Sequence, residues 1–256
     1  MGYLGGGARI IGGGLATLMF LVVAAAALIF LTIRARRGRE PDARSLPAFD
    51  ELSSELGKAA EAGVPIHFGL GTGGIGGDQT LTSLAGLEVL EGIADAAVAY
   101  GVPPVVTVGD PTLLPLAQDV LRRAYLRAGI PNQYSPAAVR FIAPSPPAYA
   151  LGVRDIVRRD QVRANVLAGA FQEEVALISQ RAERQGLAQM AAADHLRAVG
   201  ALYPADTLLA AGEELYAGGA RLKGLPKYLA SLRLQDYLRF LLVLVILLSI
   251  VGIRVF

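Results

Sequence analysis

Cysteine and tryptophan are absent from this 256-residue chain, and lysine occurs only as Lys58, Lys223 and Lys227. Without cysteine there is no thiolate nucleophile, no disulfide and no zinc–thiolate site. With so few lysines, neither a Gly-Lys-Ser/Thr phosphate loop nor the Tyr-x-x-x-Lys pair of short-chain dehydrogenases can be written. Histidine is nearly as scarce, with only His67 and His195. Charged residues make up 18% of the chain, and Lys+Arg 24 against Asp+Glu 22 leaves a net +2. Arg34, Arg36, Arg37, Arg39 and Arg44 account for that excess, so the remainder is slightly acidic. A nucleic-acid groove needs clustered cations with aromatic residues between them. The sequence shows neither on the domain, so nucleic acid is not expected as a partner.

Apolar residues are abundant, at 53%, and they concentrate at the two ends. Ile10 to Ile33 and Phe240 to Ile253 contain no charged residue. A helix over the first would rise roughly 36 Å at about 1.5 Å per residue, against a hydrocarbon core of about 30 Å. A cleaved leader fits poorly, because the run is too long and its cations follow it. The second stretch, FLLVLVILLSIVGI, covers only roughly 21 Å by the same rise, so Arg239 and Arg254 would have to snorkel. The expected organisation is a short extracytoplasmic N-terminus (1–9), a transmembrane helix (10–33), a basic juxtamembrane linker (34–48), an α/β domain (49–228) and an amphipathic lead-in with a second transmembrane helix (229–256). Arg34, Arg36, Arg37 and Arg39 on one flank of the domain, and Lys223, Lys227, Arg233 and Arg239 on the other, outnumber Arg9 and Arg254. The positive-inside rule then puts the domain in the cytoplasm and both termini on the outer side of an inner membrane. Gly12 with Ala16 and Gly13 with Thr17 have the small-xxx-small spacing of packed membrane helices, which points to self-association.

Between the ends, short apolar runs alternate with amphipathic stretches. Phe49, Leu52, Leu56, Ala59 and Ala60 mark a helix from Phe49 to Ala62 that stops at Gly63. Strands follow at Ile66–Leu70, Val105–Val108, Val139–Ala143, Ala164–Leu167, Ala188–Ala192 and Leu208–Ala211. Helices fall between them at Thr80–Tyr100, Leu113–Ala128, around Tyr149–Arg158, at Glu173–Gln185 and from His195. VVTV and NVLAGA are apolar on both faces, as central parallel strands are. The class is α/β: a doubly wound, mostly parallel Rossmann-like sheet of about six strands.

Ligands of such sheets bind beyond the carboxyl ends of the strands. The first loop there, GLGTGGIGGDQT, carries Gly69, Gly71, Gly73, Gly74, Gly76 and Gly77. With Thr72 it could turn backbone N–H groups toward a phosphorylated small molecule before a helix N-terminus. Alternatively the glycines allow a tight connection, with Asp78 or Thr80 capping the next helix. Two overlapping G-x-G-x-x-G patterns start at Gly69 and Gly71, but so glycine-dense a loop matches by chance. The acid expected about twenty residues later is misplaced, since the strand-end acid is Asp110. Asp110, Thr112, Ser145, Glu173, Glu174, Asp194, Glu213 and Glu214 also fall at strand ends. Together they could hold a divalent metal or a hydroxyl-bearing ligand, or they are ordinary helix caps. His195, beside Asp194, is the candidate general base if there is catalysis, whereas His67 reads as structural. No dedicated metal site and no particular cofactor is indicated.

The runs GTGGIGG (Gly71 to Gly77), VGDPTLLPLAQD (Val108 to Asp119) and FIAPSPPAYALG (Phe141 to Gly152) resemble an uncharacterised family of bacterial membrane-anchored proteins, a domain of unknown function. The resemblance implies no activity or catalytic residue. The expectation is a membrane-anchored, homo-oligomeric scaffold. The alternatives are a nucleotide- or phosphate-binding sensor or enzyme using residues 69–78, and an accessory subunit of a larger membrane complex.

Overall fold

The computed structural model describes residues 47–205 and 207–223, together with helical residues 22, 23, 25–27, 29, 30 and 33 near one end and 236–243 and 246 near the other. The chain divides into two compact units, one formed by residues 1–44 with 224–256 and the other by Ser45–Lys223. In the terminal unit Val22, Val23, Ile29, Phe30, Phe240, Leu242 and Ile246 are helical and largely exposed. Most of the two apolar runs, and all of the Arg34–Arg44 cluster, lie outside the described residues. Among the described residues no helix is long and apolar enough to cross a membrane.

The second unit opens with α1 (Pro47–Ala62), in which Phe49, Leu52, Leu56 and Ala59 are buried and Ala60 is half-buried. It ends at Gly63, where a left-handed backbone (φ 64°) lets the N–H groups of Gly63 and Val64 return to the carbonyls of Ala60 and Ala59. There follow β1 (Ile66–Gly71), α2 (Thr80–Ala99), β2 (Pro104–Val108), α3 (Leu113–Arg127), two single 3-10 turns, β3 (Val139–Phe141), α4 (Pro146–Arg159), β4 (Ala164–Ala170), α5 (Val175–Arg184), β5 (Ala188–Ala193), α6 (Leu196–Leu202), β6 (Leu208–Ala211) and α7 (Glu214–Lys223). All pairings are parallel and the strand order is β3-β2-β1-β4-β5-β6.

That order is the doubly wound one. The chain moves outward from β1 to β3, crosses over through α4, then moves outward the other way from β4 to β6. Helix α2 packs against α3 and α7 in one layer, while α4, α5 and α6 form the other. Every residue of β1, β2 and β4 is buried, as a parallel sheet covered on both faces requires. Ile66, Phe68, Leu70, Val106 and Val166 are fully buried in those strands. Each large side chain stabilises the fold by about 2 kcal/mol.

Several boundaries differ from expectation. Helix α4 begins at Pro146, not Tyr149, because Pro146 and Pro147 occupy first-turn positions where no N–H is needed. Strand β4 runs three residues past Leu167, and α5 starts two residues after Glu173. Helix α7 is unanticipated. Its sequence ELYAGGARLK carries two glycines, which are poor helix formers in isolation. Gly218 is nevertheless required, since a Cβ there would strike the ring of Phe49 in α1. Lys223 of α7 lies 2.5 Å from Glu91 of α2 and is largely covered. Burial alone would raise the Glu91 carboxyl, but Lys223, then Arg127 and Arg123, hold it below its usual range.

Candidate functional site

Adjacent connections leave toward opposite layers between β1 and β4, so the loops after these two strands face each other at the switch point. The chain must make an irregular turn there. Register shifts between Gly69 and Gly71, and Gly71 takes φ 79° with its Cα pressed on the Ala170 carbonyl. Only glycine fits that combination of conformation and contact. The N–H of Thr72 then donates to Ala170 (3.0 Å), and the carbonyl of Gly71 accepts from Gly109 (2.8 Å), tying the loop to β4 and to the end of β2.

Beyond Gly71 the loop folds onto its own neighbours. A Cβ on Gly74 would lie 2.5 Å from the Asp110 carboxyl carbon, so the bare Cα of Gly74 rests on that carboxylate. Asp110 accepts from the N–H of Thr112 (2.8 Å) and from the Thr112 hydroxyl, and Thr112 in turn accepts from the N–H of Ile75 (2.9 Å). The N–H groups of Gly76 and Gly77 donate to the Thr80 hydroxyl (2.9 and 3.1 Å), which donates to the Gly77 carbonyl. Asp110 thus stands at the end of β2, where dinucleotide folds keep the ribose-binding acid. In this chain it holds the glycine-rich loop closed. Under the loop, the Ser83 hydroxyl is fully buried without a hydrogen-bond partner, and a Cβ on Gly73 would come within 2.7 Å of it.

The remaining candidates do not meet at one point. The Asp194 carboxylate, after β5, accepts from the hydroxyls of Thr82 in the first turn of α2 (2.5 Å) and Tyr216 in α7 (2.7 Å). Burial first, and the Asp194 charge with it, push the Tyr216 phenol above its ordinary pKa. His195 caps α6, its Nδ1 accepting from the N–H of Arg197 at 3.3 Å. Glu173 is exposed and faces Arg197 at 3.7 Å. Glu213 opens α7, its carbonyl accepting from Tyr216 and Ala217. Among the described residues no group of three or more His, Asp or Glu side chains is placed to hold a metal.

The polar residues that the sequence leaves least conspicuous lie beneath the switch point. His67 on β1, Asn165 on β4 and Gln189 on β5 are paired in register and buried. Burial drives the His67 pKa down to about 4, against the raising effect of its bond to Asn165, so the imidazole is neutral at neutral pH. Asn165 Oδ1, 2.7 Å from Nδ1, can only accept, which puts the proton on Nδ1 and leaves Nε2 to accept from the Thr107 hydroxyl at 2.9 Å. Thr107 therefore accepts from the Tyr149 hydroxyl (3.0 Å), and Tyr149 accepts from the N–H of Gly71 (3.2 Å). On the other side Asn165 donates to Gln189 and Gln189 to the Ser179 carbonyl (3.1 Å). The donors thus run one way from the glycine-rich loop across the sheet. Every member is satisfied, as a buried polar row must be. Burial, with a smaller contribution from the Glu174 charge, lifts Tyr149 to about 12, so it stays protonated as a donor. Glu174 is itself buried, both carboxylate oxygens accepting from the N–H of Gln172 at 3.1 Å.

The chain belongs to the family described as Domain of unknown function (DUF6754). The match covers residues 11–256, so it takes in the α/β unit and both apolar runs. No curated protein and no solved structure matches the chain. Membership accords with the resemblance to a domain of unknown function carried by GTGGIGG, VGDPTLLPLAQD and FIAPSPPAYALG, and does not bear on membrane anchoring or bacterial origin. The last two runs supply structure at the switch point: Asp110 and Thr112 lock the loop, and Tyr149 reaches Gly71.

Read along the chain, the cations of the domain are scattered. The fold corrects that point. Arg154, Arg158 and Arg159 of α4 and Arg181 and Arg184 of α5 are separated in the chain but share one helix–helix surface, and four of them line a groove of about 430 Å³. Helical spacing within each segment was legible, but the packing of α4 on α5 was not. No aromatic side chain lines this groove.

Proposed function

We propose that the protein is a membrane-anchored interaction module, self-associating through its glycine-rich first helix, whose Rossmann-like domain faces the cytoplasm of a bacterial cell. The observation that carries the reading is the closure of the switch-point loop. Its N–H groups at Thr72, Ile75, Gly76 and Gly77 are held by Ala170, Thr112 and Thr80. The Asp110 carboxylate is packed on Gly74. An anion cradle offers those groups outward and keeps negative charge away. Anchoring is supported by the two charge-free runs Ile10 to Ile33 and Phe240 to Ile253, and the orientation by the arginines and lysines flanking the domain.

A second reading, a phosphorylated ligand at residues 69–78, is favoured by one observation: the buried, unpartnered Ser83 hydroxyl beside Gly73. Native mass spectrometry of the full chain released from mild detergent separates the two. A homo-oligomer of bare subunits is expected. A stoichiometric phosphate- or nucleotide-sized adduct that disappears in Gly74→Val would establish the second reading, and a stable foreign subunit would establish an accessory role in a larger complex. Carbonate extraction of membranes tests the anchor, and release of the chain into the supernatant would refute it.

A further inference from the structure

We infer that the groove between α4 and α5 is a docking site for the headgroups of anionic phospholipids. This deepens the membrane reading above and rests on it. Arg154, Arg158, Arg181 and Arg184 line the groove against a single carboxylate, Asp155. Asp155 is shared between Arg158 (2.9 Å) and Arg159 (2.5 Å), whereas Arg154, Arg181 and Arg184 have no ion-pair partner among the described residues. Three guanidinium groups, each with five donors in a fork that matches phosphate oxygens, therefore converge on one concavity with their bonding capacity unspent.

Arginines in the last turn of a helix also complement its dipole, which accounts for part of this charge. It does not account for Arg154, a turn before the end of α4, nor for a cavity between the two helices. Leu151 and Leu177, 49% and 38% exposed, border the same groove. A free phosphate would leave those leucines in water. The interfacial zone of a bilayer offers phosphates to the arginines and glycerol and acyl carbon to the leucines together. A domain held at both ends by membrane segments is also confined near lipid, so individually weak contacts become intramolecular ones.

The test uses the full chain reconstituted into nanodiscs of phosphatidylglycerol or of phosphatidylcholine, read by hydrogen exchange over α4 and α5. Protection of both helices in phosphatidylglycerol discs only is expected, falling as salt is raised. The triple variant Arg154→Gln/Arg181→Gln/Arg184→Gln should lose it, weakening surface association on the order of a hundredfold at roughly fivefold per charge. The corresponding triple lysine variant should retain most of it, and both variants should keep the wild-type melting temperature. Equal protection in phosphatidylcholine, protection by inorganic pyrophosphate alone, or indifference to the glutamine variant would each overturn the inference. Co-elution of the chain with phosphatidylcholine discs reports separately on the anchor, so a failed anchor and a failed groove are distinguishable.

Discussion

At the glycine-rich end of the sheet the N–H groups of Thr72, Ile75, Gly76 and Gly77 and the Asp110 carboxylate meet partners from the same chain, whereas in the groove between α4 and α5 three arginines meet no ion-pair partner among the described residues. The first region is dense in glycine along the chain, whereas the arginines of the second are spread over two separate helices. The contrast teaches that a motif for exposing backbone donors can instead be consumed in building a tight connection. Charges that look solvated and scattered in the chain can converge when two helices pack. A closed region should respond to mutation through stability, an open one through binding.

The largest effect is expected at Gly71. An alanine there would need a left-handed backbone and would collide with the Ala170 carbonyl, forcing β1 and β4 apart. Thermal unfolding of Gly71→Ala should show a loss of about 4 kcal/mol or more. A near-neutral result would mean that the loop is not held as described.

Next comes the polar row beneath the loop. Folding lowers the His67 pKa from 6.5 to about 4, so below pH 6.5 the unfolded chain takes up a proton that the native state refuses. The stability present above pH 6.5 is therefore lost as pH falls toward 4, by about 3 kcal/mol in total. Denaturant titrations across that window, compared with His67→Gln to subtract other groups, should show the slope in the wild type and a flattened one in the variant.

A smaller effect is expected where closure is peripheral. Tyr216→Phe removes one of the two hydroxyls on Asp194 and should cost about 1 kcal/mol in the same assay. The smallest belongs to the open region: Arg181→Ala and Arg184→Ala should each change stability by less than about 0.5 kcal/mol. A large loss there would show that the arginines serve the fold, and would erase the contrast between the two regions.

Much of the fold was legible because its signals are local. Phe49, Leu52, Leu56 and Ala59 repeat at helical spacing, VVTV and NVLAGA are apolar on both faces, and glycine punctuates the turns. Helix α7 was not legible, since Gly218 and Gly219 weaken its propensity and only Phe49 and Glu88, far away in the chain, explain them. Of the candidate site, the loop and the acids at strand ends could be found, but their partners could not. Thr112 lies 37 residues from Ile75, Tyr149 lies 78 from Gly71, and Asp194 lies 112 from Thr82.

The amino-acid sequence by itself determined the doubly wound class, the charge-free runs at both ends, and the impossibility of thiolate, Walker-lysine and Tyr-Lys chemistry. Each follows from composition or from periodicity within a short window. Only the tertiary structure decided that Asp110 closes the glycine-rich loop, that neutral His67 orients a row of hydrogen bonds toward Gly71, and that arginines of α4 and α5 share a groove. Those outcomes depend on which elements become neighbours across the sheet and between helices. Hydrogen bonds, desolvation and charge convergence act over a few ångströms in space, whatever the separation along the chain.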